Sequence, residues 1–365
     1  MVEKMTVGNV LKTKKLWTIC AASTLVLGIS LAGCGGGATD NGGANSTDAN
    51  ATSSMPEGGA TNAGADLKGK ISADGSSTVA PITSAVVEEF NKKFPGVQIP
   101  VGTSGTGGGM KKFGTGQLDI ADASRPIKDK EAAAAKSKGV DFIELPIAYD
   151  GLSIVVNKKN TWAKTLTVAE LKAIWQNGSK INNWSQVRKG FPSKPLKLYG
   201  PGTSSGTFDY FVEEIIGKKG KSRADYTASE DDNTLVEGVS RDESALGYFG
   251  FAYYEENQDK LNLVGIDNGK GAVLPTQETI LSGSYKPLSR PLFIYVSSKA
   301  ADRPEIQEFV KFYLANAKTL SKDVGYVPIP DAVYAAATKR FEAKTLGTVY
   351  KDKASHGTPL GQLFK

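Results

Sequence analysis

The sequence predicts an α/β protein with two domains, and three observations support this. From Leu67 onward, short apolar segments typical of strands alternate with longer segments whose apolar residues recur every three or four positions. Such alternation favours mostly parallel sheets. The part of the chain after Leu67 has about 300 residues, more than one hydrophobic core usually supports. The whole 365-residue chain is 40% hydrophobic and 22% charged, which is ordinary for a globular protein.

Residues 1–33 carry the pattern of a secretion signal. Lysines at positions 12, 14 and 15 precede the apolar run LWTICAASTLVLGISLA, and the small residues of LAGC lead to Cys34. The apolar run has about 17 residues, which is short for a helix that must span a bilayer core of roughly 30 Å. A membrane-spanning helix is therefore the weaker alternative. The segment resembles a bacterial lipoprotein signal, which implies cleavage before Cys34 and a lipid on that cysteine.

Residues 34–66 are almost entirely Gly, Ala, Ser, Thr and Asn, with no apolar period. Because such a segment cannot bury a core, it predicts a flexible tether between the lipid and the folded body. Loss of residues 1–33 removes four lysines and one glutamate, which lowers the formal net charge from +6 to +3. This is a weak bias, and the lysines and arginines are spread along the chain, so nucleic-acid binding is not indicated.

Metal sites and disulfides are not predicted either. The chain has two cysteines, Cys20 and Cys34, both in or next to the signal segment, and one histidine, His356. These cannot form a disulfide framework or the usual zinc sites. We therefore expect no metal and no cofactor.

The helix predictions rest on apolar spacing and on signals at the helix ends. In VAPITSAVVEEFNKKF the apolar residues from Val79 to Phe94 form one stripe, and Pro81 suits the first turn. Thr167 and Glu170 form a capping-box pattern at the start of another helix. Two further helices are expected at PEIQEFVKFYLANA and DAVYAAATKRFEAKTL. Strands are predicted at KISADG, VQIPV, LDIADAS, DFIELPIA, LSIVVN, LKLYG, ALGYFGF, LNLVGI and PLFIYV.

Three loops rich in Gly, Ser and Thr each lie between a predicted strand and a predicted helix. They are DGSSTVAP at 74–81, GTSGTGGGMKKF at 102–113 and GPGTSSGTFDYF at 200–211. The first turn of a helix has free backbone N–H groups and the positive end of the helix dipole. Glycine permits close approach of the backbone, and hydroxyl groups donate hydrogen bonds. One such loop is usually only a capped turn, but three in one chain predict an anion site.

Two other uses of these loops were considered. A nucleotide-binding Walker loop does not fit, because Met110 stands where that motif needs glycine, and the Rossmann glycine pattern does not fit either. Residues 202–206 match Gly-x-Ser-x-Gly, the nucleophile elbow of α/β-hydrolases, with Ser204 as nucleophile and His356 as the available base. A serine hydrolase is thus an open alternative, and it requires that the histidine be positioned beside the serine.

Five segments, in order, carry a resemblance to a known family. DGSSTVAPIT, GTGGGMKKFGTGQLDIADASRPI, YDGLSIVVN, GPGTSSGTFDYF and ALGYFGFAYY are similar to segments of the phosphate-binding protein of bacterial high-affinity phosphate ABC transporters. The similarity covers about 70–350. It implies a two-lobed periplasmic-binding-protein-like α/β fold with crossing hinge strands. Lobe 1 would comprise 67–152 and 291–365, and lobe 2 would comprise 153–290.

The resemblance also implies what the protein does. It would bind inorganic phosphate between the lobes, without catalysis, and deliver it to the membrane permease of an ABC transporter. It would act in the periplasm or on the outer face of the cytoplasmic membrane, and we expect a monomer. A binding protein for sulfate or another tetrahedral oxyanion is the alternative within the same class.

Position by position, the resemblance implies a set of phosphate ligands in the three loops. In the third loop the matching triplet opens a helix, so the loop would hold an anion and Ser204 would only line it. The residues implied are Ser77, Thr78, Thr106, Ser205, Gly206 and Thr207.

Two departures from the family pattern matter. Ser124 stands where better-known members have an aspartate, and Pro201 stands where they have an arginine. Arg125, beside Ser124, could supply the guanidinium that pairs with phosphate oxygens. A carboxylate that accepts the proton of phosphate would reject sulfate. Asp150 and Asp122 are the candidates for that role, and Asp150 is favoured because it borders a crossing strand.

Overall fold

The computed structural model describes residues 66–217, 219–350 and 358–364. The signal segment, nearly all of the predicted tether, Cys34 and His356 lie outside these ranges, and what was predicted of them stays a prediction. Within the described ranges, no helix has both the length and the apolar character needed to cross a bilayer.

The helices and strands alternate along the chain as the sequence predicts. Helices α1–α11 are Ala80–Lys93, Gly105–Phe113, Asp129–Ser137, Val168–Trp175, Gly206–Phe211, Asp232–Arg241, Phe251–Glu255, Gln277–Leu281, Pro304–Asp323, Asp331–Glu342 and Leu360–Leu363. Strands β1–β14 are Gly69–Lys70, Ala73–Gly75, Val97–Gln98, Val101–Gly102, Ile120–Ala123, Phe142–Asn157, Thr165–Thr167, Lys197–Pro201, Thr227–Ser229, Ala245–Gly250, Leu261–Leu263, Gly265–Asp267, Ala272–Val273 and Ser289–Ser297. A π-helical turn, Val212–Ile216, directly follows α5.

One large sheet organises the molecule. Its strand order is β4-β2-β5-β14-β6-β10-β8-β9, and β11 also pairs with β6. Two small sheets, β1-β3 and β13-β12-β7, complete the strands. The first loop follows β2 and the second follows β4, in one half of the sheet, whereas the third follows β8 in the other half. The sheet therefore carries the three loops in two separate groups.

Two long strands run between these halves. β6 has 16 residues, all buried, and it pairs with β14 from Phe142 opposite Ser297 to Gly151 opposite Ser289. Its last residues pair instead with β10 and β11, in the other half. The two-lobed α/β fold with crossing strands is thus confirmed. The two strands predicted at DFIELPIA and LSIVVN are one strand, because the intervening Tyr149–Gly151 pair with β14 and do not form a turn.

The expectation of mostly parallel sheets is wrong at the centre of the molecule. β6 runs antiparallel to β14, β10 and β11, and β14 also runs antiparallel to β5. Parallel pairs flank this centre, β2 with β4 and β5 on one side and β8 with β9 and β10 on the other. Each lobe is therefore a parallel α/β unit, and the two strands that join the lobes cross in opposite directions.

The helix signals in the sequence act as predicted. Pro81 lies in the first turn of α1, and Ile82, Val86 and Phe90 on its apolar stripe are fully buried. Phe90 contacts Phe309 of α9 edge to face, with ring centroids 5.2 Å apart, a geometry favoured by aromatic quadrupoles. At α4 the Thr167 hydroxyl accepts a hydrogen bond from the Glu170 N–H, and the Glu170 carboxylate accepts one from the Thr167 N–H. Loss of such a cap typically costs about 1 kcal/mol.

Candidate anion-binding site

The three loops predicted to bind an anion each connect a strand to a helix. The first joins β2 to α1, the second joins β4 to α2, and the third joins β8 to α5. Ser205 is the N-cap of α5, and its hydroxyl accepts a hydrogen bond from the Thr207 N–H at 3.1 Å. The predicted position of all three loops between a strand and a helix is thus confirmed.

Asp74, at the end of β2, holds the first two loops together. Its carboxylate accepts a hydrogen bond from the Ser104 N–H at 2.8 Å and forms an ion pair with Lys112. Burial alone would raise the pKa of Asp74, but the hydrogen bonds from Lys112 and Ser104 bring it below the ordinary value. Gly75 follows with a φ of 149°, and a Cβ there would lie 2.1 Å from the Asp122 carbonyl oxygen. Only glycine fits this turn.

Thr106 and Ser124, two of the predicted ligand residues, are in direct contact. Their hydroxyl oxygens are 3.0 Å apart, and the Ser124 N–H donates to the Thr106 hydroxyl at 3.2 Å. Ser124 follows β5, whose neighbour β2 leads into the first loop. Parallel strands end at one edge of a sheet, so residues far apart in sequence meet there.

The predicted ligands line two adjoining cavities. The larger cavity, about 620 Å³, is lined by Ser77, Thr78, Thr106, Ser124 and Arg125, among others. The smaller cavity, about 380 Å³, is lined by Asp150, Ser205, Gly206 and Thr207, and by Ser77 again. Ser77 lies at the boundary, so the structure brings all nine predicted residues to one region but divides them between two spaces.

The boundary between the cavities is a contact of the first loop with the third. The Thr78 hydroxyl donates to the Gly206 carbonyl oxygen, and the Ser77 hydroxyl donates to the Asp209 carboxylate, both at 3.3 Å. A Cβ on Gly206 would lie 2.6 Å from the backbone nitrogen and Cα of Thr78. Glycine at position 206 thus permits the two loops, one from each half of the sheet, to touch.

Arg290 of β14 is a central residue that the sequence reasoning missed. Its Nη2 donates to the Thr78 hydroxyl at 2.8 Å, and its Nε and Nη2 lie 3.3 and 3.2 Å from one oxygen of Asp150. The guanidinium carbon lies 3.5 Å from the ring centroid of Tyr210, a cation–π contact. Arg290 also lines the larger cavity. The sequence feature that could have indicated this role is an arginine directly before PLFIYV, the predicted strand at the boundary between the lobes.

Arg125, the predicted source of positive charge, lines the same cavity and is held by an acidic partner. Its Nη1 and Nη2 each donate to an oxygen of Glu131 at 2.9 Å, and Nη1 also donates to the Pro126 carbonyl. Burial raises the pKa of Glu131, but the Arg125 and Lys128 hydrogen bonds outweigh it and leave the pKa lowered. A guanidinium whose two terminal nitrogens both donate to one carboxylate has fewer donors to offer an anion.

Asp150 and Asp122, the two candidates for proton acceptor, occupy different surroundings. Asp150 is buried against Arg290; burial raises its pKa, and Arg290 partly opposes this. Asp122 is fully buried and accepts a hydrogen bond from Thr83 at 3.1 Å through one oxygen. Burial raises the pKa of Asp122 to about 7, against the Thr83 hydrogen bond. Neither is among the residues described as lining the larger cavity.

Ser204, the nucleophile of the hydrolase alternative, is exposed and lines the smaller cavity. Its backbone N–H donates to the Glu230 carboxylate at 3.2 Å. His356 lies outside the described residues, so the pairing that a hydrolase needs is untested. What surrounds Ser204 in the described structure is acidic, with Glu230, Asp232 and Asp323 on the same cavity wall.

The comparisons with known proteins agree with this geometry. A family profile described as a PBP superfamily domain matches residues 58–317. The phosphate-binding protein PstS of Staphylococcus saprophyticus is 39% identical over 322 residues, which cover 88% of this chain and 92% of that protein. The chain belongs to the family of phosphate-binding proteins of ABC transporters. These are solute-binding proteins. The chain is also similar to protein SphX of Synechococcus elongatus, with 51% identity over 298 residues that cover 81% of this chain and 88% of that protein.

Solved structures place the fold in the same family. The crystal structure of a possible phosphate binding protein from Planctomyces limnophilus is 50% identical, with a TM-score of 0.74, and covers 77% of this chain and 100% of that one. An ABC-type phosphate transport receptor from Vibrio cholerae is 26% identical, with a TM-score of 0.55, and covers 71% and 100%. The family resemblance and the fold predicted from the sequence are thus confirmed.

Proposed function

We propose that the protein binds inorganic phosphate at the boundary of the two cavities and delivers it to the permease of an ABC transporter. The observation that carries this proposal is the convergence of uncharged donors and one guanidinium at one place. The larger cavity is lined by Ser77, Thr78, Thr106 and Ser124, and the adjoining cavity by Ser205, Gly206 and Thr207. Arg290 also lines the larger cavity and donates to Thr78. Hydroxyl and backbone N–H donors suit an oxyanion, and the guanidinium supplies the charge.

Phosphate binding replaces the contacts between the loops. The Thr78 and Ser77 hydroxyls, which now donate to Gly206 and Asp209, turn to phosphate oxygens. The N–H groups at the start of α5 donate from the opposite side. Hydrogen bonds to a charged group contribute about 1.5 to 3 kcal/mol each, so several are enough for micromolar or tighter binding.

We assign the main positive charge to Arg290 and a supporting role to Arg125. Arg290 already donates to Thr78, whereas both terminal nitrogens of Arg125 donate to Glu131. Asp150 then acts as the counter-ion that holds the Arg290 guanidinium in one orientation. Removing either partner of a buried pair leaves an uncompensated charge, which costs several kcal/mol. The pair therefore serves the fold as well as the ligand.

The lobes we propose are 67–152 with 291–365, and 153–290. The change of β6 from pairing with β14 to pairing with β10 between Gly151 and Leu152 supports the first boundary.

We further propose that the protein is a lipoprotein outside the cytoplasm, anchored through Cys34 with residues 34–66 as tether, as the signal pattern indicates. Mass spectrometry of the mature N-terminus tests this, and an unmodified Cys34 would contradict it.

Isothermal titration of the purified full-length chain tests the phosphate proposal. We expect saturable heat with inorganic phosphate, a dissociation constant of about 1 µM or lower, and little change when sulfate is present in excess. Binding of sulfate with equal affinity would replace the proposal by that of a general oxyanion carrier. Turnover of an ester that disappears in the Ser204→Ala variant would support the hydrolase instead.

A further inference from the structure

A third aspartate, Asp209, lies at the wall of the larger cavity. Asp209 is exposed, in the first turn of α5, and lines that cavity. One of its carboxylate oxygens accepts the hydrogen bond from the Ser77 hydroxyl across the boundary. Asp209 therefore points toward the same place as the proposed phosphate ligands, from the lobe opposite to Ser77.

The two aspartates predicted from the sequence are less well placed for contact with a ligand. The Asp150 oxygen that faces Arg290 is 3.2 Å from Nη2, and Asp150 lines the smaller cavity. Asp122 is fully buried beneath the first loop, where its backbone carbonyl accepts from the Ser76 N–H. Of the three carboxylates, that of Asp209 lines the larger cavity and also accepts a hydrogen bond across the boundary at which phosphate is proposed to bind.

We propose that Asp209 is the residue that selects phosphate over sulfate. This rests on the proposed function and names its specificity residue. Near neutral pH phosphate carries at least one proton, and sulfate carries none. An ionised carboxylate can only accept a hydrogen bond, so it attracts the O–H of phosphate and repels an oxygen of sulfate.

The exchange of hydrogen bonds is balanced. In the structure the Ser77 O–H donates to Asp209. When phosphate binds, its O–H donates to Asp209 in place of Ser77, and the Ser77 O–H turns to donate to another phosphate oxygen. No proton is transferred, and Ser77 and Asp209 each exchange one hydrogen-bond partner for another. With sulfate, the Asp209 carboxylate would meet a sulfate oxygen that has no proton to donate. Contact between two such negatively charged groups costs several kcal/mol.

The test compares three anions with the full-length parent chain and its Asp209→Asn variant. Asparagine has the same size but can donate from its amide nitrogen. We expect phosphate and arsenate, which both carry a proton, to bind about 10-fold more weakly, and sulfate to bind more tightly. The ratio of phosphate to sulfate affinity should fall about 100-fold or more. Asp259→Asn makes the same change at an exposed turn outside the cavity and should leave the ratio as in the parent.

The outcomes separate this inference from the proposed function. If the parent chain shows no phosphate binding, the proposed function fails. If the parent prefers phosphate and Asp209→Asn keeps the same ratio, the inference about Asp209 is overturned while the function stands. Asp209→Ala removes the carboxylate without adding a donor, and it should also lose the preference. Thermal unfolding checks that each variant is folded.

Discussion

The two cavities that meet at Ser77 differ in charge more than in any other property. The larger one has Arg125, Lys128 and Arg290 on its described walls, together with Asp209, Glu213 and Glu214. The described walls of the smaller one carry the carboxylates of Asp150, Glu230, Asp232 and Asp323, and neither lysine nor arginine. Both have hydroxyl groups and helix-start N–H groups. The difference teaches that hydroxyl and N–H donors do not distinguish the two cavities, whereas, among the residues described, the cationic side chains, which attract anions, line only the larger one.

The contrast arises from which elements reach each cavity. Arg290 comes from a crossing strand, and Arg125 and Lys128 come from the segment after β5. The acidic walls of the smaller cavity come from both lobes, Glu230 and Asp232 at the start of α6 and Asp323 at the end of α9. Bringing these carboxylates together works against closure of the lobes on that side, since like charges repel.

The largest effect is expected from a variant that separates the two loops at the boundary between the cavities. In the Gly206→Val variant the new side chain would clash with the Thr78 backbone, because even a Cβ at position 206 would lie 2.6 Å from the Thr78 nitrogen and Cα. We expect the phosphate affinity to fall about 10- to 100-fold, as overpacking by 1–3 kcal/mol implies. Calorimetry measures this. In Gly107→Ala the Cβ meets no atom within 4 Å, so the effect should be far smaller; an equal loss would refute the steric account.

The Arg290→Lys variant keeps the positive charge but replaces the planar guanidinium by an ammonium group. Lysine cannot hold both Thr78 and Asp150 while stacking on Tyr210 as the guanidinium does. We expect phosphate affinity to fall about 10-fold, with loss of one charge-assisted hydrogen bond. Arg125→Lys is the matched control and should cost about threefold or less, because Glu131 already engages that guanidinium. A reversed order would assign the main charge to Arg125.

The smallest effect is expected from neutralising the smaller cavity. Burial, then Asp231 and Glu230, raise the pKa of Asp232 to about 7. Its charge therefore forms near neutral pH, and Asp232→Asn should raise phosphate affinity about two- to threefold at pH 8 and low salt, and less at pH 6.

The same variant should change stability in a defined direction. A carboxyl group whose pKa is raised by folding binds its proton more tightly in the folded state. The fold therefore loses stability as pH rises from the ordinary carboxyl pKa toward about 7, and the full penalty remains above that pH. Asp232→Asn should exceed the parent in unfolding free energy by about 1 kcal/mol at pH 8, and the difference should vanish near pH 4. Denaturant unfolding at both pH values measures it. A constant difference would show that the charge of Asp232 is not responsible.

Local patterns in the sequence were sufficient to predict the helices, most of the strands and the three loops, because these features depend on residues that are neighbours along the chain. The apolar stripe of α1, the Thr167–Glu170 cap and the three strand-to-helix loops are of this kind. The continuous strand through Tyr149–Gly151 was missed because aspartate and glycine usually indicate a turn, and pairing with β14 overrides that preference.

Arg290 and Asp209 were missed for a related reason. Arg290 is 140 residues from Asp150 and 212 from Thr78 along the chain, and Asp209 is 132 from Ser77. Such contacts depend on the strand order of the sheet, which spacing in the sequence does not reveal. The resemblance supplied matching positions in the loops but no match for these two, since the family's arginine is absent at Pro201.

The β6–β14 pair has a consequence for how the molecule moves. Its ladder is hydrogen-bonded up to Gly151 and Ser289, and β6 continues into the other lobe without a break. Relative rotation of the lobes would therefore be absorbed as bending and twisting of a two-stranded ribbon, whose register shifts once, between Leu292 and Phe293. The amides of this ribbon should remain protected from solvent deuterium throughout opening and closing, while those of the three loops exchange at rates that follow occupancy.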